Sequence, residues 1–485
     1  MRTLLLLAVF LVGCTPAAPD SDQDAQSPAD LVITGGQIVD LDTGELLSGK
    51  AIVIRGSRIE ALVNAADAPD TLLTFNADNR YVIPGLWDMH AHALYEKWPI
   101  NSEEGVPYTW GAYMDLMLAH GVTGFRDMWG TPAAIDQANK DIESGERFGP
   151  RFVAAGMTMG WFEYMSGLEK AETEEEARVL VRKAHENGAD FIKFGLWNPA
   201  FLLAPTIDEA RKLGLDVVGH VPPDMAALEA AEAGLRSIEH SFGAIQGCTP
   251  NGESLFDVAR VEFAESSNFP FPLILHSDPL FAEFDEEKCA QQAERLAELD
   301  VWLSPTVGLW EAKANAKRID ITTDPRFELV NAADREVWIG SQGYWRRQIE
   351  ENGDLTQRLY DVRLKVVKTM HDNGVPILAG SDFMNMAATP GLGLHDELRN
   401  YQIAGLSPID ALRTATLEPS RYLRRASDFG AVAAGRYADL VLLTKNPLEN
   451  IKNVSTVYAV VADGNLLDRS ALDQLVESAK SELGN

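Results

Sequence analysis

Strand-like apolar segments alternate with helical stretches through most of this chain, and that alternation constrains the fold more than any other feature. Repeated strand–helix units favour a parallel sheet or a (β/α)8 barrel. The predicted strands are Val82–Leu86, Val122–Arg126, Arg151–Ala155, Phe191–Phe194, Val217–Gly219, Ser237–Glu239, Val301–Ser304 and Pro376–Ala379. The predicted helices include Thr173–Asn187, which opens with a capping-box pattern, Asp224–Ala233 and Glu287–Leu299. We therefore expect an α/β fold with a (β/α)8 TIM barrel over residues 82–425.

A pair of histidines follows the first predicted strand, in the run Asp88-Met89-His90-Ala91-His92. Residues two apart in a strand point to the same face, so the two imidazoles should lie side by side. Neighbouring imidazoles are common zinc ligands. Two hydrogen-bonded histidines without a metal would give the same local pattern, so the later part of the chain decides between these interpretations.

Four further candidate ligands lie at the ends of predicted strands: Lys193, His220, His240 and Asp382. Taken singly, they fit a solvated lysine, two core histidines and a loop-capping aspartate. In a (β/α)8 barrel, however, the chemistry sits at the C-terminal ends of the strands. Their shared position predicts that four histidines, one lysine and one aspartate converge on one mouth as a metal site.

This set of residues and its order resemble the amidohydrolase superfamily of metal-dependent hydrolases, over roughly residues 31–467. The segments 219–222, 238–240 and 380–382 resemble the imidazolonepropionase-like and prolidase-like branch. The resemblance implies that Lys193 is carboxylated by CO2 and bridges two divalent metal ions, expected to be zinc. One metal would then be held by His90, His92 and Asp382, and the other by His220 and His240. A mononuclear site stays open, since the superfamily includes mononuclear members.

The implied reaction is hydrolysis by a hydroxide that bridges the metals. A lysine amine with an ordinary pKa near 10.4 is a poor ligand at neutral pH, whereas its carbamate is an oxygen donor. Bridging water loses its proton readily and attacks a carbonyl, while Asp382 passes that proton to the leaving group. We expect amide-type C–N substrates: a dipeptide, an N-acyl amino acid or a cyclic amide. The alternatives are a lactone or phosphotriester hydrolase, a mononuclear deaminase-like enzyme, and a surface-anchored binding protein with a relict site.

Both ends of the barrel region are flanked by β-rich sequence. Residues 30–81 contain strand-like runs with glycine turns, and residues 426–485 contain two more runs and a final helix, Arg469–Leu483. The two parts are predicted to pair into one small β-sandwich into which the barrel is inserted. The superfamily that the chain resembles has the same split arrangement.

The first 29 residues are predicted to direct export. Residues 1–14 combine one basic residue, a short apolar run and a lipobox-like ending at Cys14, which predicts a lipoprotein signal peptide with lipid attached to that cysteine. An ordinary cleaved signal is the alternative. Residues 15–29 lack large apolar side chains and predict a disordered tether. The expected location is a bacterial periplasmic or surface membrane, with the lipid anchor as the sole membrane contact.

Charge and cysteine content limit the partners. Against 42 lysines and arginines the chain has 72 aspartates and glutamates, a formal net charge of −30, which argues against nucleic acid as a partner. We expect a small-molecule substrate and leave a homo-oligomer open.

Cys248 and Cys289 lie in one predicted insertion, residues 242–285 and their surroundings. In an exported protein they are expected to form a disulfide, and two buried thiols are the alternative.

The candidate substrate contacts are aromatic or imidazole side chains near predicted strand ends: Trp161, Tyr164, Trp197 and His395. A packing role is the alternative for each aromatic residue, and His395 could instead cap the last barrel helix. A second insertion, residues 305–355, carries several tryptophans and could form a lid or a helical pair on the rim.

Overall fold

A computed structural model describes residues 28–95, 97–98, 106–107, 109–156, 158–160, 168–195, 198–252, 254 and 279–484. The strands are β1 (Ala29–Thr34), β2 (Gln37–Val39), β3 (Leu46–Leu47), β4 (Lys50–Arg55), β5 (Arg58–Asn64), β6 (Thr71–Asn76), β7 (Tyr81–Pro84), β8 (Leu86–Ala91), β9 (Lys97–Trp98), β10 (Val106–Pro107), β11 (Val122–Asp127), β12 (Arg151–Ala154), β13 (Thr158–Met159), β14 (Leu168–Glu169), β15 (Ile192–Phe194), β16 (Val217–Gly219), β17 (Ser237–Glu239), β18 (Trp302–Ser304), β19 (Leu440–Leu443), β20 (Val457–Ala462) and β21 (Asn465–Leu467). The α-helices are α1 (Trp110–Ala119), α2 (Pro132–Ser144), α3 (Glu174–Glu186), α4 (Leu203–Lys212), α5 (Ala227–Ala233), α6 (Glu286–Glu298), α7 (Gly308–Ala314), α8 (Ala332–Asn352), α9 (Leu355–Asp372), α10 (Leu392–Ala404), α11 (Pro408–Thr414), α12 (Leu417–Tyr422) and α13 (Arg469–Glu482). Short 3-10 helices occupy Ala65–Asp67, Ala200–Leu202, Gln246–Cys248, Pro279–Ala282, Ile321–Thr323, Pro325–Leu329 and Ile451–Ser455.

Parallel strands separated by helices make up the central part of the chain, which gives the protein an α/β fold. Strands β8, β11 and β12 form one parallel sheet, and β15 to β18 run in parallel within a second sheet. One backbone hydrogen bond joins the two groups at one margin, and at the other margin β8 bonds to the segment Pro376–Ala379, whose Leu378 amide donates to the Leu303 carbonyl of β18. The Asp190 amide donates to the Ala154 carbonyl, and the Met89 amide donates to the Ala379 carbonyl.

The first predicted barrel strand was placed too early in the chain. Tyr81–Pro84 pairs with β19 and β2 in a different sheet, and the parallel strand starts at Leu86. Between them, Gly85 passes so close to Thr123 that a β-carbon on it would lie 1.9 Å from the Thr123 hydroxyl oxygen. The last predicted strand, Pro376–Ala379, also differs, because it forms only an isolated parallel bridge between Ile377 and Leu303.

Strands from both ends of the chain form two further sheets. One has the order β5-β4-β1-β6, and the other has the order β21-β20-β19-β7-β2-β3. Apolar side chains of both sheets, including Ile33, Ile52, Val82, Leu440 and Val461, are buried in one shared cluster. The N- and C-terminal segments therefore depend on each other for their core.

Helix ends follow local sequence signals closely. Thr173 accepts a hydrogen bond from the Glu176 amide, and Glu176 accepts one from the Thr173 amide, which is the predicted capping box of α3. Helix α5 starts at Ala227, three residues later than predicted, where Glu229 caps the Ala226 amide. No helix among the described residues has the length and apolar character needed to cross a membrane.

The two predicted insertions are held to the rest of the chain by different contacts. A disulfide joins Cys248, early in the first insertion, to Cys289 in α6. In the second, Trp338 of α8 is fully buried, and its indole donates to the Met384 carbonyl at 3.1 Å. The described part of the second insertion thus packs against the loop that follows Asp382.

Candidate metal centre

Three predicted ligands from distant parts of the chain meet in one cluster. One potential ligand atom each from His90, His240 and Asp382 lies within 4.8 Å of the other two. The His90 Nε2 lies 3.5 Å from one carboxylate oxygen of Asp382, and the His240 Nδ1 lies 3.6 Å from the other. Strand β8 ends just beyond His90, and His240 directly follows β17, so the parallel strands bring these groups to one edge.

His92 and His220 extend the cluster on two sides. The His92 Nε2 lies 2.8 Å from the Asp382 carboxylate. The His220 ring stacks on that of His240 with centroids 4.9 Å apart and an interplanar angle of 15°. The structure therefore places all four predicted histidines around Asp382 or around a histidine that contacts it.

Lys193 lies in the middle of β15 and is buried among these groups. Its Nζ is buried and makes no hydrogen bond among the described residues. Burial lowers the pKa of Lys193 to about 8, with nearby Glu239 opposing that shift and Arg126 adding to it. A lower pKa enlarges the fraction of neutral amine, which is the form that reacts with CO2.

The backbone at the cluster adopts left-handed conformations that side chains with a β-carbon rarely take. The φ angles are +59° at His240, +61° at Ser241, +48° at Thr306 and +51° at Asp382. Such conformations cost of order 1–3 kcal/mol each and persist where the surroundings require them. Here they lie at the ends of strands, at residues that supply or orient polar groups of the cluster.

A buried ion pair supports the cluster, and it was missed by the sequence analysis. The Glu239 carboxylate accepts hydrogen bonds from His90 Nδ1 at 2.7 Å, Arg126 Nη2 at 2.9 Å and the Ser237 hydroxyl at 2.6 Å. Glu239 and Arg126 are fully buried. Because a carboxylate only accepts, this contact holds the proton of His90 on Nδ1 and leaves Nε2 with a lone pair directed toward Asp382.

Two further buried aspartates fix the loops around the histidines. Asp88 accepts hydrogen bonds from the amides of His90 and Ser381 and from the Ser381 hydroxyl. Burial raises the pKa of Asp88 to about 6, against the effect of these hydrogen bonds. Asp127 accepts from the amides of Ala93 and Leu94, the two residues that follow His92.

The donor set fits divalent metal binding. Burial lowers the pKa of both His90 and His240 well below the usual value, so these imidazoles are neutral and able to ligate. Burial would raise the pKa of Asp382, but the hydrogen bond with His92 opposes it, and the net shift is downward. The His90 Nε2 and the Lys193 Nζ are buried polar atoms that make no hydrogen bond among the described residues. Neutral imidazoles, a carboxylate and buried atoms without hydrogen bonds are what a zinc-type site requires.

Among the remaining predicted residues, the structure describes only His395. Trp161, Tyr164, Trp197 and the lipidation candidate Cys14 lie outside the described residues. His395 is buried in α10, its Nε2 donates to the His120 carbonyl at 2.9 Å, and Gly391 stands at the helix N-cap. This contact ties His395 to the end of α1, so neither the predicted capping position nor a contact with the cluster is seen for it.

Comparisons with known proteins agree with one another. A family model described as "Amidohydrolase family" matches residues 81–467. The chain is 24% identical over 475 residues to ochratoxinase of Aspergillus niger, covering 87% of this chain and 82% of the relative. A solved structure of bottromycin amidohydrolase aligns with a TM-score of 0.70 at 22% identity, covering 95% of this chain and 92% of that one. A Xaa-Pro dipeptidase with bound methionine aligns with a TM-score of 0.64 at 20% identity, covering 90% of this chain and 99% of that one.

Proposed function

The chain belongs to the amidohydrolase family, a family of hydrolases of carbon–nitrogen bonds, and from this premise we propose that it cleaves small amide-type substrates at a centre of two divalent metal ions. One observation carries the proposal: His90, His240 and Asp382 form one cluster, and the buried amine of Lys193 interacts electrostatically with Asp382. The named relatives also support it, since ochratoxinase, bottromycin amidohydrolase and a Xaa-Pro dipeptidase are among them.

In this proposal the six residues divide between two metals. His90, His92 and Asp382 would hold one ion, His220 and His240 would hold the other, and a carboxylated Lys193 would supply oxygen donors to both. We expect zinc, because imidazole and carboxylate donors suit it. When bound, the metals supply a Lewis acid for the carbonyl and an acidified water.

The residues of this chain do the remaining work. Asp382 takes a proton at its carboxylate and returns it to the leaving nitrogen. Its hydrogen bond with His92 favours the ionised carboxylate that this step requires. Glu239 holds the His90 ring in one tautomer, and Arg126 neutralises the buried Glu239 charge.

We also propose how the strands of the whole chain are arranged. The eight parallel segments form a (β/α)8 barrel inserted into a β-sandwich built from both chain ends, supported by the hydrogen bonds at Asp190 and Met89 and by the shared apolar cluster of the terminal sheets. We also propose an exported lipoprotein anchored at Cys14 that acts on a small molecule, supported by the N-terminal sequence.

Metal content is the test of the centre. Elemental analysis of the purified protein should find about two zinc-type ions per chain, and Lys193→Ala should remove most of them. Lys183→Ala, at an exposed position in α3, is the matched control and should leave the metal content unchanged. About one ion per chain, unaffected by Lys193→Ala, would contradict the bridged centre and favour a mononuclear, deaminase-like site.

Turnover is the test of the bond. The metal-loaded protein should hydrolyse members of a panel of dipeptides and N-acyl amino acids. His90→Ala should abolish that activity. Activity confined to lactones or phosphotriesters would contradict amide hydrolysis while leaving the metal centre intact, and ligand binding without any turnover would favour a binding protein.

A further inference from the structure

The Nδ1 atom of His240 contacts a threonine from the neighbouring strand end. Strands β17 and β18 run in parallel, and the His240 amide donates to the carbonyl of Ser304, the last residue of β18. Two residues later, the Thr306 hydroxyl lies 2.8 Å from the His240 Nδ1, whereas an Asp382 carboxylate oxygen lies 3.6 Å from the same atom. The Thr306 hydroxyl is therefore the closer partner of this ring nitrogen.

Thr306 has a backbone conformation that suits a threonine poorly. Its φ angle is +48°, and the residue is fully buried. A side chain branched at the β-carbon is strained there, whereas glycine or asparagine takes this conformation at lower cost. A strained residue whose hydroxyl contacts a candidate metal ligand indicates a role at that ligand.

Other buried threonines use their hydroxyls differently. The hydroxyls of three of them donate to a backbone carbonyl three or four residues earlier in the chain, at Thr206, Thr414 and Thr416. The Thr306 hydroxyl instead contacts a side chain 66 residues away. Local backbone bonding therefore does not account for the threonine at this position.

Glu397 of α10 fixes the backbone that follows Thr306. Its Oε1 accepts a hydrogen bond from the Val307 amide at 2.9 Å, and its Oε2 accepts one from the Gly308 amide at 2.7 Å. Glu397 is fully buried, and a β-carbon on Gly308 would lie 3.3 Å from its Oε2. Both oxygens of one buried side chain are thus bound to the two residues next to Thr306.

We propose that Thr306 orients His240 as a metal ligand and that Glu397 holds Thr306 in place for this task. The Thr306 hydroxyl oxygen accepts the proton of the His240 Nδ1, so the Nε2 keeps the lone pair that a metal requires. This inference rests on the proposed function and adds two positioning residues to it, because both act through His240. Thr306 is to His240 what Glu239 is to His90.

Zinc titration of the metal-free full chain against a chromophoric chelator tests the role of Thr306. Thr306→Val keeps the branched shape and removes the hydroxyl, so it should weaken one of the two zinc ions at least about tenfold and leave the other unchanged. Thr306→Ser keeps the hydroxyl and should bind both ions as the unmodified protein does. Thr389→Val is the matched control, because the buried Thr389 hydroxyl makes no hydrogen bond among the described residues, and both affinities should persist.

Unchanged zinc affinity in Thr306→Val would overturn the inference. Equal weakening of both ions would overturn it too, since a general loosening of the site has that effect. One zinc ion per chain in the unmodified protein would instead contradict the two-metal centre of the proposed function, and the effect of Thr306→Val on that single ion would still decide the inference.

A double variant tests the role of Glu397. Glu397→Gln replaces one accepting oxygen by an NH2 group, so it should weaken the same zinc ion as Thr306→Val does. Combining the two changes should weaken that ion little further, because Glu397 acts through Thr306. Fully additive losses would overturn this part of the inference. Glu397→Asp, which keeps the carboxyl group at a shorter reach, takes the place of Glu397→Gln in the comparison if that variant does not fold.

Discussion

Replacing Glu239 with glutamine should impair both folding and metal binding, although the side chain keeps its size. Glu239 Oε1 accepts from Arg126 and Ser237, and Oε2 accepts from the His90 Nδ1. In the variant, the amide oxygen can still face Arg126, but the new NH2 group must then face His90. His90 can accept that hydrogen bond only by moving its own proton to Nε2, the atom directed toward Asp382.

The expected sizes follow from burial. Removing one partner of a buried ion pair typically costs about 3–5 kcal/mol, and the retained hydrogen bonds of glutamine place Glu239→Gln near the lower value. A protonated Nε2 cannot ligate a metal, and losing the partner that orients a ligand histidine typically lowers metal affinity about 10- to 100-fold.

Two assays check these values separately. Guanidinium unfolding of the metal-free protein gives the change in free energy of unfolding, and zinc titration against a chromophoric chelator gives the affinity. Glu477→Gln is the matched control and should change neither quantity, because among the described residues this exposed carboxylate pairs only with Lys480 of the same helix. A Glu239→Gln variant whose free energy of unfolding lies within about 0.5 kcal/mol of that of the unmodified protein, and which binds zinc equally well, would refute this role for Glu239.

Three further outcomes are expected. Burial raises the pKa of Asp334 to about 7, so the folded protein binds this proton more tightly than the unfolded chain does. The free energy of unfolding should therefore fall by up to about 4 kcal/mol as the pH rises from 4 to 7. Asp334→Asn should flatten this dependence of unfolding on pH, and an unchanged dependence in the variant would contradict the role of Asp334. The disulfide between Cys248 and Cys289 spans 41 residues and should contribute about 4 kcal/mol to the free energy of unfolding. In the same unfolding assay, a reductant should destabilise the unmodified protein and leave a variant with both cysteines replaced by serine unaffected. Gly380→Ala would put a β-carbon 2.5 Å from the β-carbon of His90, so it should lower the free energy of unfolding by about 1–3 kcal/mol and weaken metal binding. Gly340→Ala in α8 is the control, because a β-carbon there would meet no heavy atom of the described residues within 4 Å. It should be neutral or stabilising in thermal unfolding.

Local signals predicted which distant residues meet in the candidate metal centre, and they predicted the start of helix α3. His90, His220, His240 and Asp382 stand out because each follows an apolar run, and parallel strands bring such ends together whatever the details of packing. The capping box at Thr173 is equally local, since all of its atoms lie within four residues.

Contacts between distant residues could not be predicted in the same way. The Arg126–Glu239 pair joins residues 113 positions apart, and strand propensity treats both as ordinary polar residues of β11 and β17. Tyr81–Pro84 and Leu86–Ala91 are separated only by Gly85, and strand propensity does not tell which sheet each segment joins. The sheet of the first segment is decided by β19, from the far end of the chain.

The pairing of β7 with β19 has a consequence for biosynthesis. Ile83 and Val441 are direct partners, yet nearly the whole α/β region is translated between them. During translation, β7 has an unpaired edge until β19 has left the ribosomal exit tunnel. The apolar cluster that the terminal sheets share also stays incomplete until β19 and β20 have emerged. The emerging N-terminal strands therefore require protection from aggregation for most of the translation time, and a premature stop before Leu440 would leave them without a partner.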